Sequence, residues 1–194
     1  MTADAVVLRT DRLLVRDWRA DEAERHFDMY RRPEVVRFLG STPTPMPSLE
    51  RAAGRIERVR EFNAQAPTAC GWWAVEVAAT GVVAGTVAVL PIEDGTAEGP
   101  PEARAPELEV AWHLHPDSQG HGYAAEAARG VLDRAHRLGV PAVLALVDPV
   151  NAPSLAVARR LGLQPLGLSE RYYGKPLEVF VSHPTKPGAD QVRA

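Results

Sequence analysis

Apolar positions along the chain change their period several times, and each change predicts an element. Over 6–18 (VVLRTDRLLVRDW), β-branched and apolar residues form two short runs around a turn-like Thr10-Asp11, which predicts one or two short strands. From Asp21 to Arg32 the spacing becomes helical. Asp21 can cap this helix, Glu24 stands at the capping-box distance, Phe27 and Tyr30 share a side, and Pro33 stops it. A further short turn of helix is expected at 34–39. Residues 42–47 (TPTPMP) hold three prolines in six positions, which makes a loop too short to separate domains. Ser48 is placed to cap a helix over 49–65, with Ile56, Val59 and Phe62 at helical spacing.

At residue 71 the period drops to two. GWWAVEV and VVAGTVAVL flank Ala79-Thr80-Gly81 and read as an antiparallel hairpin over 71–90. The polar, Gly- and Pro-rich stretch 93–106 reads as a surface loop. Residues 107–115 (ELEVAWHLH) alternate as a strand, and a helix is expected from about Gly120 to Leu138, closed by Gly139. Residues 142–147 (AVLALV) predict a short apolar strand. Asn151 to Leu161 predicts a helix with Pro153 in its first turn, where proline is tolerated, and Gly162 beyond its end. Two last strands are expected at 163–168 and 177–182, followed by a tail without apolar pattern. The order is mixed α/β, with the strands around the 120–138 helix as parallel neighbours. It predicts one domain over 1–184 and a disordered 185–194.

Composition narrows the function. The chain has 194 residues, enough to bury a full core without staples. A net charge of -3 argues against a non-specific nucleic-acid binder, which needs a basic stripe. Cys70 is the only cysteine, so no internal disulfide and no cysteine-based zinc cluster can form, and no metal is expected. No apolar run reaches membrane-spanning length, and the N-terminus lacks the pattern of a signal peptide. A soluble cytoplasmic protein is the expectation, without nucleic-acid or membrane partners. A homodimer stays open.

The chemistry concentrates in Gln119-Gly120-His121-Gly122-Tyr123-Ala124, between a strand and a helix. Such a turn aims several backbone N–H groups at one spot, at the positive end of a helix. Its glycines let a ligand approach without a Cβ in the way. An anion site suited to a diphosphate follows, with a plain tight turn as the alternative. Known phosphate loops fit worse. A P-loop needs Lys-Ser/Thr after its last glycine, where Tyr123-Ala124 stand, and a dinucleotide fingerprint lacks its third glycine because Ala125 occupies that step.

The pattern Gln/Arg-x-x-Gly-x-Gly/Ala, met here by Gln119, Gly122 and Ala124, resembles the acetyl-CoA pyrophosphate loop of the GCN5-related N-acetyltransferases (GNAT family). The longer run ELEVAWHLHPDSQGHGYAAEA resembles the ribosomal-protein-alanine acetyltransferase (RimJ/RimL-like) branch. The match runs through Glu109, Val110, Trp112, Leu114, Pro116, Gly120, Gly122, Tyr123, Ala124, Glu126 and Ala127. VDPVNAPSLAVARRLGL resembles the family's second motif through Asn151, Ser154, Leu161 and Gly162, and LRTDRLLVRDW resembles the branch's opening. Two residues depart from the pattern: Ala111 stands where a glycine is usual, and Leu163 where a phenylalanine is.

The resemblance implies a GNAT fold: a mostly antiparallel central sheet flanked by helices, with splayed parallel strands at 107–115 and 142–147. It implies acetyl-CoA as co-substrate, its pantetheine arm between those strands, against the backbone of His113, Leu114 and His115. Gln119, Gly120, His121, Gly122, Tyr123 and Ala124 would hold the pyrophosphate, and Asn151 and Ser154 the pantetheine end. Acetyl transfer needs a neutral amine, a stabilised oxyanion and a proton for the leaving thiolate. Glu109 is the candidate base, with His113 as second choice, because a protein amine is mostly protonated at pH 7. Ser154 is the candidate acid. Each also has a structural reading: Glu109 as a solvated strand residue, Asn151 as a helix cap, Ser154 as a first-turn residue. Tyr172 and Tyr173 offer further phenols that the sequence cannot place. The implied activity is direct acetyl transfer to a primary amine, either a protein N-terminus or a small molecule. The alternative is a non-catalytic CoA-binding sensor or scaffold of the same fold.

Overall fold

A computed structural model of the chain describes residues 5–40, 43–92 and 107–184. Eight strands form one sheet in the order β1-β2-β3-β4-β5-β6-β8-β7. They are β1 (Val6–Arg9), β2 (Leu13–Arg16), β3 (Gly71–Val77), β4 (Val83–Pro91), β5 (Leu108–Leu114), β6 (Val143–Val147), β7 (Gln164–Ser169) and β8 (Leu177–Ser182). Every neighbouring pair is antiparallel except β5 and β6. This is the mixed α/β GNAT-type sheet expected above, and the strands around the central helix are parallel neighbours. The polar loop 93–106 and the tail 185–194 lie outside the described residues.

Helices cover both faces. On one face lies α4 (Tyr123–Arg137), with α5 (Ala152–Arg160) beside it. The buried side of α4 is mostly alanine: Ala124, Ala125, Ala127, Ala128 and Ala135, with Val131 and Leu132. Small side chains let the helix axis come close to Val75, Val87, Val110 and Ala145 beneath it. Gly139, at φ +89, closes α4 as expected. On the other face, α1 (Ala23–Tyr30), α2 (Pro33–Val36) and α3 (Leu49–Gln65) bury Met29, Tyr30, Val36 and Ile56 against Trp18, Ala74 and Val83. Ser48 caps α3, accepting from the Arg51 N–H at 3.2 Å.

The first helix differs from its prediction. Its capping box lies two residues earlier: Glu22, not Glu24, reaches back to the Arg19 N–H at 2.8 Å. A 3-10 turn over Ala20–Glu22 precedes α1, and Pro33 starts α2 rather than merely ending α1. The cause is tertiary. The Arg16 side chain is 1% exposed and pairs with both Glu22 and Glu76. A buried guanidinium left without carboxylates is costly, so Glu22 is drawn to that place and sets the cap.

A third apolar cluster, Leu144, Tyr172, Leu177, Val179 and Val181, covers the same face as α1–α3 but over β6 and β8. Between it and the α1–α3 cluster, the face of β5 is left open to a cavity.

Candidate active site

β5 uses its two faces and its two edges differently. Leu108, Val110, Trp112 and Leu114 point into the core beneath α4. Glu109, Ala111 and His113, on the alternate face, line the cavity. Along the β4 edge the pairing is continuous, from Pro91↔Leu108 to Gly85↔Leu114. It is flanked by Ile92 N–H to Glu107 C=O at 2.8 Å and His115 N–H to Ala84 C=O at 2.9 Å. These bonds fall on odd-numbered residues of β5, so the main-chain groups of Val110, Trp112 and Leu114 turn toward β6. There the pairing is confined to Glu109↔Leu144. Beyond that point the ladder stops, leaving a gap in the pairing, and the main-chain groups bordering it call for partners. Of the three residues expected to line the pantetheine, Leu114 faces the gap with its main chain. His113 and His115 commit theirs to β4.

At the C-terminal end of β5, a 3-10 turn (Pro116–Ser118) leads to the glycine loop and then to α4. Gly120 and Gly122 have φ of +79° and +81°, left-handed values that L side chains rarely adopt. Two left-handed residues so close together turn successive N–H groups to one side, and the free amides of the first turn of α4 add to them. A Cβ on Gly120 would meet nothing within 4 Å. One on Gly122 would lie 3.6 Å from Arg12 Nη2 and 3.8 Å from Arg160 Nη1. Two guanidinium groups from distant parts of the chain therefore flank the loop. Arg12 is held there by Glu126 (Nε to Oε2, 2.7 Å), which also accepts the Thr10 hydroxyl at 2.5 Å. Arg12 donates to the His121 carbonyl at 3.1 Å and stands over the Tyr123 ring. His121 is exposed and stacks on Tyr123, with ring centres 5.3 Å apart. The Gln119 side chain donates to the Leu114 carbonyl at 3.3 Å, at the mouth of the gap. Amides and guanidinium groups arranged in this way fit a diphosphate.

Asn151 caps α5, its Oδ1 accepting the Ser154 N–H at 3.3 Å. Both residues follow the C-terminal end of β6, and neither lines the cavity that holds Glu109. Their local capping geometry is what the sequence predicts for a helix start, and it leaves both side chains only half-buried.

The cavity measures about 620 Å³. Its walls are apolar and aromatic, including Val36, Met46, Phe62, Trp72 and Leu146. Glu109 is its only carboxylate among the described residues. The Tyr173 hydroxyl donates to Glu109 Oε1. Burial raises the Glu109 carboxyl above the ordinary range, and the Tyr173 hydrogen bond partly offsets this. Tyr173 itself has φ +55°, the only positive φ among described residues other than glycine. Such a backbone costs on the order of 1 kcal/mol and persists where the surroundings hold it. His113 receives or donates a hydrogen bond at Nδ1 with the Tyr30 hydroxyl, 3.1 Å away. Burial and the nearby Arg55 charge push its pKa down to about 3, so it is neutral at pH 7. A base that weak takes few protons from an ammonium, which leaves Glu109 the better acceptor in this cavity.

His115 is buried at the strand end, where its side chain has a structural task. Its ring stands between two carboxylates: Nε2 lies 2.8 Å from Asp28 Oδ2, and Nδ1 lies 2.9 Å from Asp117 Oδ1 and 3.3 Å from the Asp117 main-chain nitrogen. The His115 contact, with Arg32 and Arg31, holds the Asp28 carboxyl well below its usual range. This ties α1 to the start of the glycine loop. Cys70 is buried, and burial raises its thiol pKa. Among the described residues, no group of three or more His, Cys, Asp or Glu side chains is placed to hold a metal ion, and no helix is long and apolar enough to cross a membrane.

Sequence reading left Tyr173, Arg12, Tyr30 and Arg55 without a place at the site. Nothing in their local spacing marks them, because each arrives from an element far along the chain. In Tyr173→Phe the hydrogen bond that favours the ionised Glu109 is lost, so the carboxyl pKa rises further. If Glu109 is the base, the acid limb of the pH–rate profile moves to higher pH. An unmoved limb separates Tyr173 from the reacting carboxylate.

Comparison with known proteins agrees with this geometry. The family model described as "Acetyltransferase (GNAT) domain" matches residues 12–164. "Uncharacterized N-acetyltransferase p20" from Bacillus licheniformis is 24% identical over 180 residues, 90% of this chain and 93% of that protein. A solved structure from Vibrio cholerae, carrying the name ribosomal-protein-serine acetyltransferase, superposes with a TM-score of 0.74 at 25% identity, covering 95% of this chain and all of that one. The RimL structure in complex with coenzyme A shares the fold, with a TM-score of 0.72 at 14% identity over 93% of this chain and 98% of that one. The match of the family model over most of the chain, on a fold with a half-paired strand couple and a twin-glycine loop, shows that the chain belongs to the GNAT acetyltransferase family.

Proposed function

We propose that this protein transfers acetyl from acetyl-CoA to a primary amine by direct attack in a ternary complex, in the cytoplasm. The observation that carries the reading is the single β5–β6 pairing at Glu109↔Leu144, with the gap's mouth at the glycine loop and the Glu109 face turned to a cavity. A donor and an acceptor can thus reach β5 from different sides. In this reading, the amides of residues 119–124 with Arg12 and Arg160 hold the pyrophosphate. The main chain around Trp112 and Leu114 pairs with the pantetheine as an added strand would. Bound acetyl-CoA supplies an activated thioester carbonyl.

Glu109 takes the ammonium proton, directly or through water, so that a neutral amine can attack. Its raised pKa brings it nearer the working pH, where a general base is most effective. Ser154 hydrogen-bonds the leaving sulfur from the first turn of α5. The buried thiol of Cys70, outside the cavity lining, supports transfer without an acyl-enzyme. The α-amine of a protein N-terminus is the first acceptor class to try, since the Vibrio cholerae neighbour and RimL carry names of ribosomal-protein acetyltransferases. Those resemblances also support a RimJ/RimL-like placement.

The test is thiol release from acetyl-CoA with a panel of amines and N-terminal peptides. Amine-dependent release supports the reading. CoA binding without release for any amine would make the chain a binding protein instead. With an accepted amine, Ser154→Ala is expected to lower kcat about fivefold, the scale of one hydrogen bond worth about 1 kcal/mol, with little change in acetyl-CoA affinity. An unchanged kcat would leave Ser154 as a helix-start residue only.

A further inference from the structure

We propose that the acceptor carries an anionic group, a carboxylate or a phosphate, and that Arg55 reads it against the faces of Trp72 and Tyr30. This rests on the amine-acceptor reading of the cavity given above. Arg55 projects from α3 and lines the cavity, half-buried. Its guanidinium carbon lies 5.0 Å from the centre of the Trp72 ring and 5.2 Å from that of Tyr30. Among the described residues it has no carboxylate partner and no hydrogen bond. Other arginines on this face are engaged: Arg16 with Glu22 and Glu76, Arg25 with Asp117, Arg32 with Asp28. The second cation of the cavity, Lys175, donates to the Gly40 carbonyl at 2.8 Å.

A guanidinium against aromatic faces keeps its in-plane N–H donors free, and those donors match the two oxygens of a carboxylate or phosphate. The ring contacts also hold the side chain in place before any ligand arrives, which reduces the entropy lost on binding. The histidines nearby cannot do this work. His26 and His113 are pushed down to about 3 by burial, with Arg55 adding to the effect, and stay neutral. The cavity therefore has opposite charges at separate places: Glu109 for the amine and Arg55 for an acid.

Their spacing bounds the substrate. Glu109 and His113 are four residues apart on β5, about 13 Å at strand rise. The Trp72 and Tyr30 rings that carry Arg55 lie 5.7 and 5.9 Å from the His113 ring. An amine near Glu109 and an anion at Arg55 therefore sit at different ends of this face of β5, and a short extended peptide, at about 3.3–3.6 Å per residue, is the acceptor length to try. The lining between them favours an apolar or aromatic body.

The experiment uses matched tripeptides with a free N-terminus and a central Phe. One carries a free C-terminal carboxylate, one a C-terminal amide, and one a phosphoserine amide as third residue. Binding is measured by calorimetry with CoA present, and kcat/KM by thiol release. Wild type is expected to prefer an anionic peptide over the neutral amide about fivefold or more in both. Whether the carboxylate or the phosphate gains more distinguishes the two sources. Arg55→Gln is expected to abolish the preference, chiefly through KM, and Arg55→Lys to restore part of it, with CoA affinity unchanged in both as a check on folding. Equal binding of charged and neutral peptides by wild type, or a preference that survives in Arg55→Gln, overturns the proposal. Arg55-dependent binding without acetylation of any of these peptides or of any amine in the panel would uphold the anion site while overturning the amine-transfer reading.

Discussion

Replacing Glu109 with glutamine is expected to lower kcat by about 10²–10⁴ at neutral pH, the usual scale for a positioned general base. The substitution keeps the side-chain shape and the hydrogen bond with Tyr173, and removes the group that takes the proton. Its pH dependence distinguishes this role from a structural one. In wild type the base must be ionised, and burial raises the Glu109 carboxyl. Activity should therefore fall at acid pH through a limb above the ordinary carboxylate range. That limb should vanish in the glutamine variant. The loss should also shrink at high pH, where the amine has already shed its proton. Acetyl-CoA affinity should change little, because the carboxylate faces the cavity rather than the glycine loop. A pH–rate profile of both proteins with one accepted amine measures all three effects. Wild-type kcat with an unaltered profile would return Glu109 to the status of a strand residue.

Replacing Gly122 with valine is expected to weaken CoA binding at least tenfold, about 1.4 kcal/mol. The cause is the backbone more than the space. The nearest atoms to a Cβ there are the tips of two flexible arginines, beyond 3.5 Å. A φ of +81° is another matter. An L residue in the left-handed region costs about 1–2 kcal/mol, and a β-branched one is a true outlier. The loop escapes by rotating away, and the amides of residues 120–123 then no longer converge. Calorimetry with CoA, alongside a thermal melt to confirm folding, measures the effect. Unchanged affinity in a folded Gly122→Val protein would move the phosphates elsewhere.

Much of this protein was legible in its sequence. Alternation in 107–115 put Glu109, Ala111 and His113 on one face, and that is the face lining the cavity. Ser48, Asn151 and Gly139 announced helix ends because caps and left-handed termini are local matters, set by a side chain and the four or so residues beside it. The glycine loop was legible for the same reason: its chemistry is its own backbone.

What the tertiary structure decided lies where residues far apart in the chain share one charge or one cavity. The start of α1 follows Glu22 because the buried Arg16 needs that carboxylate, a demand invisible in residues 19–24 alone. Arg12 joins the glycine loop only because Glu126 on α4 holds it there. Tyr173 reaches Glu109 from the β7–β8 turn, and Arg55 reaches the Trp72 ring from α3. Local propensity carries no record of such meetings. They arise when packing brings the elements together, because a buried charge or polar group left alone costs more than the strain of finding it a partner.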